Sequence, residues 1–119
     1  MPSLNFKNRF APDVETYRKR HSIRAGNRWR KGMMVHAFTD MRTKKCRRLI
    51  PATPCTKVEP IVIRYAKGGL LTVKRSGVNL IYQEIKLLAI NDGFEGTFDF
   101  VQFFTPERGT TFKGQLIHW

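Results

Sequence analysis

Lys19, Ser22 and Arg24 stand within the stretch KRHSIR, and their types and order suit acyl-transfer chemistry. A serine hydroxyl is a poor nucleophile until a base takes its proton, and a lysine serves as that base only when its pKa is lowered toward neutrality. Arg18, Arg20 and Arg24 would each disfavour a charged ammonium at Lys19, and burial in a pocket would act in the same direction. The same residues also suit a simpler task. The stretch continues as KRHSIRAGNRWRKG, whose interleaved His21, Ile23 and Trp29 and glycine punctuation belong to a folded binding strip rather than to a disordered basic tail. Spacing alone does not choose between the two, because a lysine three residues before a serine is common in any sequence.

The elements that must position these groups follow from periodicity and punctuation. Leu4 and Phe6 give an apolar start, and PDVETYRKR offers Pro12 at a first helical position, with Asp13 and Glu15 where the helix dipole favours acids. Gly26, Asn27 and Gly32 predict turns, and MMVHAFT beyond them predicts the first strand, bounded by Asp40. CRRLI and KVEPIVIRY read as strands separated by the breaker cluster PATPCT, with Pro60 marking an edge or a bulge. Gly68 and Gly69, then Arg75 to Gly77, divide IVIRY, LLTVK and VNLI into a meander of short strands. YQEIKLLAIN carries a helical stripe of Ile85, Leu88 and Ala89, with Gly93 as its C-terminal cap. Thr97 is expected to cap a further helix, TFDFVQFF, whose Phe98, Val101 and Phe104 face the core before Pro106 ends it. FKGQLIHW alternates as a closing strand. Several short strands with two or three short helices and no repeated strand–helix alternation predict a small α+β domain built on a barrel or strongly bent sheet.

With 119 residues the chain fits one domain, spanning 1–119, and a chain of this size buries roughly two-thirds of its unfolded surface. Nine Phe, two Trp and three Tyr within 41% hydrophobic residues are the composition of a folded protein. The net charge of +13 is unevenly spread: residues 1–64 hold 16 Lys or Arg against 4 acids, residues 65–119 hold 6 against 5. A field of that sign attracts polyanions. Two cysteines, Cys46 and Cys55, and an N-terminal stretch without the apolar core of a signal peptide predict a reducing, cytoplasmic setting. No apolar run approaches the roughly twenty residues of a membrane span. His21, His36 and His118 with the two cysteines show no metal-ligand spacing, and Gly68–Gly69 lacks the downstream Lys and Ser or Thr of a phosphate loop, so neither metal nor cofactor is expected.

Lys19-x-x-Ser22-x-Arg24 resembles the Lys-x-x-Thr/Glu-x-Arg signature of ASCH domains, small barrel relatives of the PUA RNA-binding fold. RWRKGMMVHAF, LAINDGFEGTFDFVQFF and FKGQLIHW resemble further pieces of that family in the same order, so the likeness spans most of residues 15–119. Where a glycine often stands two residues before the lysine, this chain has Tyr17. The resemblance implies a PUA-like barrel with two or three short helices. In one branch, the N4-acetylcytidine amidohydrolases, a Lys accepts the proton, a Thr is the nucleophile and a Glu donates the proton. By motif, Lys19, Ser22 and Asp92 fall on those positions, Asp92 following Ala89 by three residues as the branch's acid follows an alanine. Serine keeps the hydroxyl without the rotamer-fixing methyl, and aspartate is one methylene shorter than glutamate.

Binding makes fewer demands than hydrolysis. Arg24, Arg28, Trp29 and Lys31 are expected to line a ligand pocket, with Trp29 or Phe38 stacking on a base, while Arg42, Lys44, Lys45, Arg47 and Arg48 contact phosphates. The expected function is recognition of RNA or of a modified nucleoside or nucleotide by a monomer. Deacetylation of N4-acetylcytidine is the alternative, and masking of an acidic protein partner a third.

Overall fold

A computed structural model describes residues 3–119. The described residues form nine strands and three helices: β1 Ser3–Phe6, α1 Ala11–Glu15, β2 His21–Ala25, β3 Met34–Thr39, β4 Arg47–Arg48, β5 Thr53–Pro54, β6 Lys57–Tyr65, β7 Leu71–Arg75, β8 Val78–Asn79, α2 Tyr82–Asn91, α3 Thr97–Phe104 and β9 Thr110–His118. The class is α+β, as expected. A five-stranded sheet runs β2-β9-β6-β7-β8, and a smaller sheet holds β1, β4 and β5 around β3, with β1 parallel to β3. Among the described residues the strands form these two sheets and not one closed barrel.

β6 and β9 pair in register over nine residues, from Lys57 opposite His118 to Tyr65 opposite Thr110. Strand alternation places Ile61, Ile63, Val73, Leu116 and Ile23 on one face of the large sheet, and all five are buried. Helices α2 and α3 lie on that side: Phe104 of α3 meets Phe112 of β9, and His21 and Arg75 share a groove with Glu84 and Leu88 of α2. Pro60 fits because N–H and C=O of an extended residue point the same way. Its carbonyl accepts from Ser76 just beyond the last β6–β7 pair, so its missing N–H is lost on that side and not from the β9 ladder.

Four expectations are corrected. MMVHAFT is the third strand, since β1 and β2 precede it, β2 running through the basic stretch itself. CRRLI is extended only at Arg47–Arg48; Leu49 and Ile50 turn into the core. Gly96 precedes α3 as its cap, leaving Thr97 as the first helical residue with its hydroxyl unpaired. The buried stripe of α3 then contains Phe100 and Val101, and Phe98 is 75% exposed.

Candidate functional site

Lys19 follows α1 through Tyr17, whose φ of +61° lies in the left-handed region that glycine adopts most readily. The turn is pinned by the Lys19 amide, which donates to the Asp13 carbonyl at 2.9 Å. This aims the Lys19 side chain at the C-terminus of α2. There Asp92 ends the helix, its amide donating to the Leu88 carbonyl, and Gly93 follows with φ +96°. Lys19 Nζ donates to Asp92 Oδ1 at 2.6 Å and to the Asp92 carbonyl at 2.7 Å. One ammonium thus serves the carboxylate and an orphan carbonyl at the negative end of the helix dipole.

Both partners are almost fully buried, at 3% and 2% exposure. Burial is the largest influence on Lys19 and lowers its pKa; the adjacent Asp92 opposes this, and Arg24 adds to it. Arg18 and Arg20, expected to share in that effect, point into solvent. Ser22, also buried, does not bond Lys19. Its Oγ accepts from Arg24 Nε at 3.0 Å, two residues along the same face of β2, which leaves the hydroxyl proton available to a ligand.

These groups form the polar end of a cavity of about 170 Å³ at the free edge of β2. Its other walls are aromatic: Phe6 from β1, Phe10 before α1, Phe94 after α2, and Phe103 and Phe104 from α3. Phe94 is the hub, packing edge-on against Phe10, Phe100, Phe103 and Phe104 at centroid distances of 5.2 to 5.6 Å. Cations lie over these rings, Arg24 at 4.8 Å from Phe6 and Lys7 at 5.1 Å from Phe103. A cavity near 150 Å³ holds one benzene ring, so this one accepts a single heterocycle with a small substituent.

Lys19, Ser22, Arg24 and Asp92 therefore come together, although Asp92 is distant in sequence. Arg28, Trp29 and Lys31 do not join them. Trp29 is a core residue, 2% exposed, and is no stacking platform. Its backbone is clamped by the buried Gln115, whose Oε1 accepts from the Trp29 amide at 3.0 Å and whose Nε2 donates to the Trp29 carbonyl at 3.1 Å. Lys31 borders a separate shallow groove and Arg28 is exposed on the same loop. Phe38 is already covered by Arg48, whose guanidinium lies 4.6 Å from its ring. Arg42, Lys44, Lys45, Arg47 and Arg48 are all exposed on the β3–β4 connection and β4; Arg47 pairs with Glu15 at 2.8 Å.

Sequence reasoning missed His21 and the five phenylalanines. His21 Nδ1 lies 2.8 Å from Asp92 Oδ1, and toward an ionised carboxylate that nitrogen carries the proton. Across the β2–β9 pair His21 packs on His118 at 5.5 Å, and His118 Nε2 reaches Glu59 at 2.8 Å. Burial raises the Glu59 carboxyl, but hydrogen bonds from Arg75, His118 and Ser76 outweigh it and hold the group at about 2. Among the described residues no cluster of three or more His, Cys, Asp or Glu is placed to hold a metal, and no helix is long and apolar enough to cross a membrane. The two cysteines are free thiols, Cys46 exposed and Cys55 buried.

Compared with protein-family models, with curated proteins and with solved structures, the chain has no match in any of the three.

Proposed function

We propose that the cavity at the β2 edge recognises a nucleobase, in RNA or in a modified nucleoside, and that the chain is an ASCH domain of PUA-like ancestry. The observation that carries this reading is the joining of Lys19, Ser22, Arg24 and Asp92 at the polar end of a ring-sized cavity with aromatic walls. A base offers a flat π-face to Phe94 and Phe103 and polar edges to Ser22, Arg24 and Asp92. The left-handed backbone of Tyr17, at the position where the family often has glycine, supports the family assignment.

Titration calorimetry with cytidine, N4-acetylcytidine and the other common nucleosides tests it. One of them should bind in a manner lost by about tenfold or more in Ser22→Ala, since a buried hydroxyl partner contributes on the order of 1.5 kcal/mol. Equal affinity of Ser22→Ala for every nucleoside bound would remove the cavity from the mechanism.

A hydrolytic reading of the same cavity draws on the lowered pKa of Lys19. In it Ser22 Oγ attacks the acetyl carbonyl, the C–N bond breaks, the serine proton passes by way of Lys19 and Asp92 to the leaving amine, and water then cleaves the acetyl ester. Release of cytidine from N4-acetylcytidine by the wild type and not by Ser22→Ala, followed chromatographically, would establish turnover. Binding without release would leave recognition alone.

A further inference from the structure

The large sheet has a second face, opposite α2 and α3, and β-alternation writes a regular pattern on it. Val62 of β6 stands between Lys113 of β9 and Lys74 of β7 in one cross-strand row. Two residues along, Arg64 stands between Thr111 and Thr72 in the next. Arg64, Lys74, Lys113 and Thr111 are exposed, and among the described residues none of the three cations has an acidic partner. Lys67 continues the stripe beside Arg64 in a shallow depression. No acid lies in either row. Glu59, the acid of β6, projects from the other face, where Arg75 and His118 hold it.

Toward β2 this face is covered, with Ser22, Gln115 and Ile117 buried. We infer that its exposed end, around Arg64, Lys74 and Lys113, is a landing surface for the phosphate backbone of single-stranded nucleic acid, separate from the cavity at the β2 edge. The ladder sets the cations on a regular lattice, roughly 5 Å between strands and 7 Å between alternate residues. A polynucleotide presents one negative charge per nucleotide along an extended line, and three unpaired cations with flanking threonine hydroxyls complement such a line. An acidic protein fits less well, because the two rows offer no apolar side chain but Val62, and the depression beside them is lined by Arg64, Lys67 and Lys113. The rows carry no aromatic side chain, so bases are not stacked there and contact is independent of sequence. The inference does not rest on the cavity's being a nucleobase site.

The test uses the full chain with every cation of the rows neutralised, Arg64→Gln, Lys74→Gln and Lys113→Gln together, against Arg42→Gln, Lys44→Gln and Lys45→Gln as a control of equal charge change. Binding of a twelve-nucleotide uridine oligomer is followed by fluorescence anisotropy at several salt concentrations. Each phosphate contact on a single strand contributes about 0.7 to the logarithmic salt slope, so loss of three should lower it by about 2 and weaken binding at 0.1 M salt by on the order of a hundredfold. The control variant should lose less than the sheet variant. Equal losses in the two triple variants, or a loss confined to the control, would overturn the assignment, as would poly-glutamate displacing the oligomer at equal charge concentration. The replaced side chains are exposed, so an unchanged thermal midpoint is expected and separates lost contact from lost fold.

Discussion

Lys19 is held 2.6 Å from Asp92 with almost no water to solvate it, so removing its ammonium strands a buried carboxylate. Lys19→Met should lower stability by about 3–5 kcal/mol in urea unfolding, and the double variant Lys19→Met/Asp92→Asn should recover part of that loss. A single variant as stable as the wild type would mean that the pair is solvated. An alanine at position 19 is therefore no neutral probe of chemistry, and Ser22→Ala is the cleaner one. The motif residues of β2 and the turn before it were legible because lysine, serine and arginine lie within six positions. The bond from Lys19 to Asp92 was not, because it is made across the α2 terminus, and spacing carries no information about a contact between distant segments. Trp29 was ambiguous for a related reason: an aromatic among arginines looks the same in sequence whether it stacks on a ligand or plugs the core.

The cavity depends on how closely β2 can approach β9. A Cβ built at Gly114 would stand 2.1 Å from the Arg24 carbonyl oxygen, a backbone atom that cannot step aside without parting the two strands. Gly114→Ala should therefore destabilise the protein by more than about 1 kcal/mol and weaken whatever binds beside Ser22 and Arg24. Unaltered amide exchange along β2 in that variant would show that the strand had not moved. β6, α2 and β9 were legible from their own patterns, a long alternating run or a helical stripe closed by Gly93. β2 was hidden because its alternation, with the polar Ser22 and Arg24 on one face, was submerged in a basic run, and the face of α3 was misjudged because phenylalanines occur all round that helix.

At the scale of the molecule, acid should unfold this protein in two stages. His118 is lowered below 6.5 chiefly by burial, and Glu59 is held at about 2 against an ordinary 4.5. In both cases the unfolded chain binds more protons, so the stability these two groups contribute is complete above about pH 6.5, begins to fall as His118 protonates in the unfolded state, and falls again from 4.5 toward 2. Thermal midpoints between pH 8 and 3 should show both declines, and Glu59→Gln should flatten the lower one; an unchanged acid limb would place the sensitivity elsewhere. The charge of the whole was legible as a sum but not as a surface. Counting by halves of the chain assigned the basic character to residues 1–64, whereas the sheet brings Lys74 and Lys113 from the nearly neutral half to either side of Val62, next to Arg64. The same topology sets the tempo of folding. β9 lies between β2 and β6, so the ladder that fixes Ser22 and Arg24 joins His21 to His118 across almost the whole chain. Closing so long a loop belongs among the slow steps of small-domain folding, in milliseconds to seconds, and the hairpin of β6 and β7 can form well before the cavity exists.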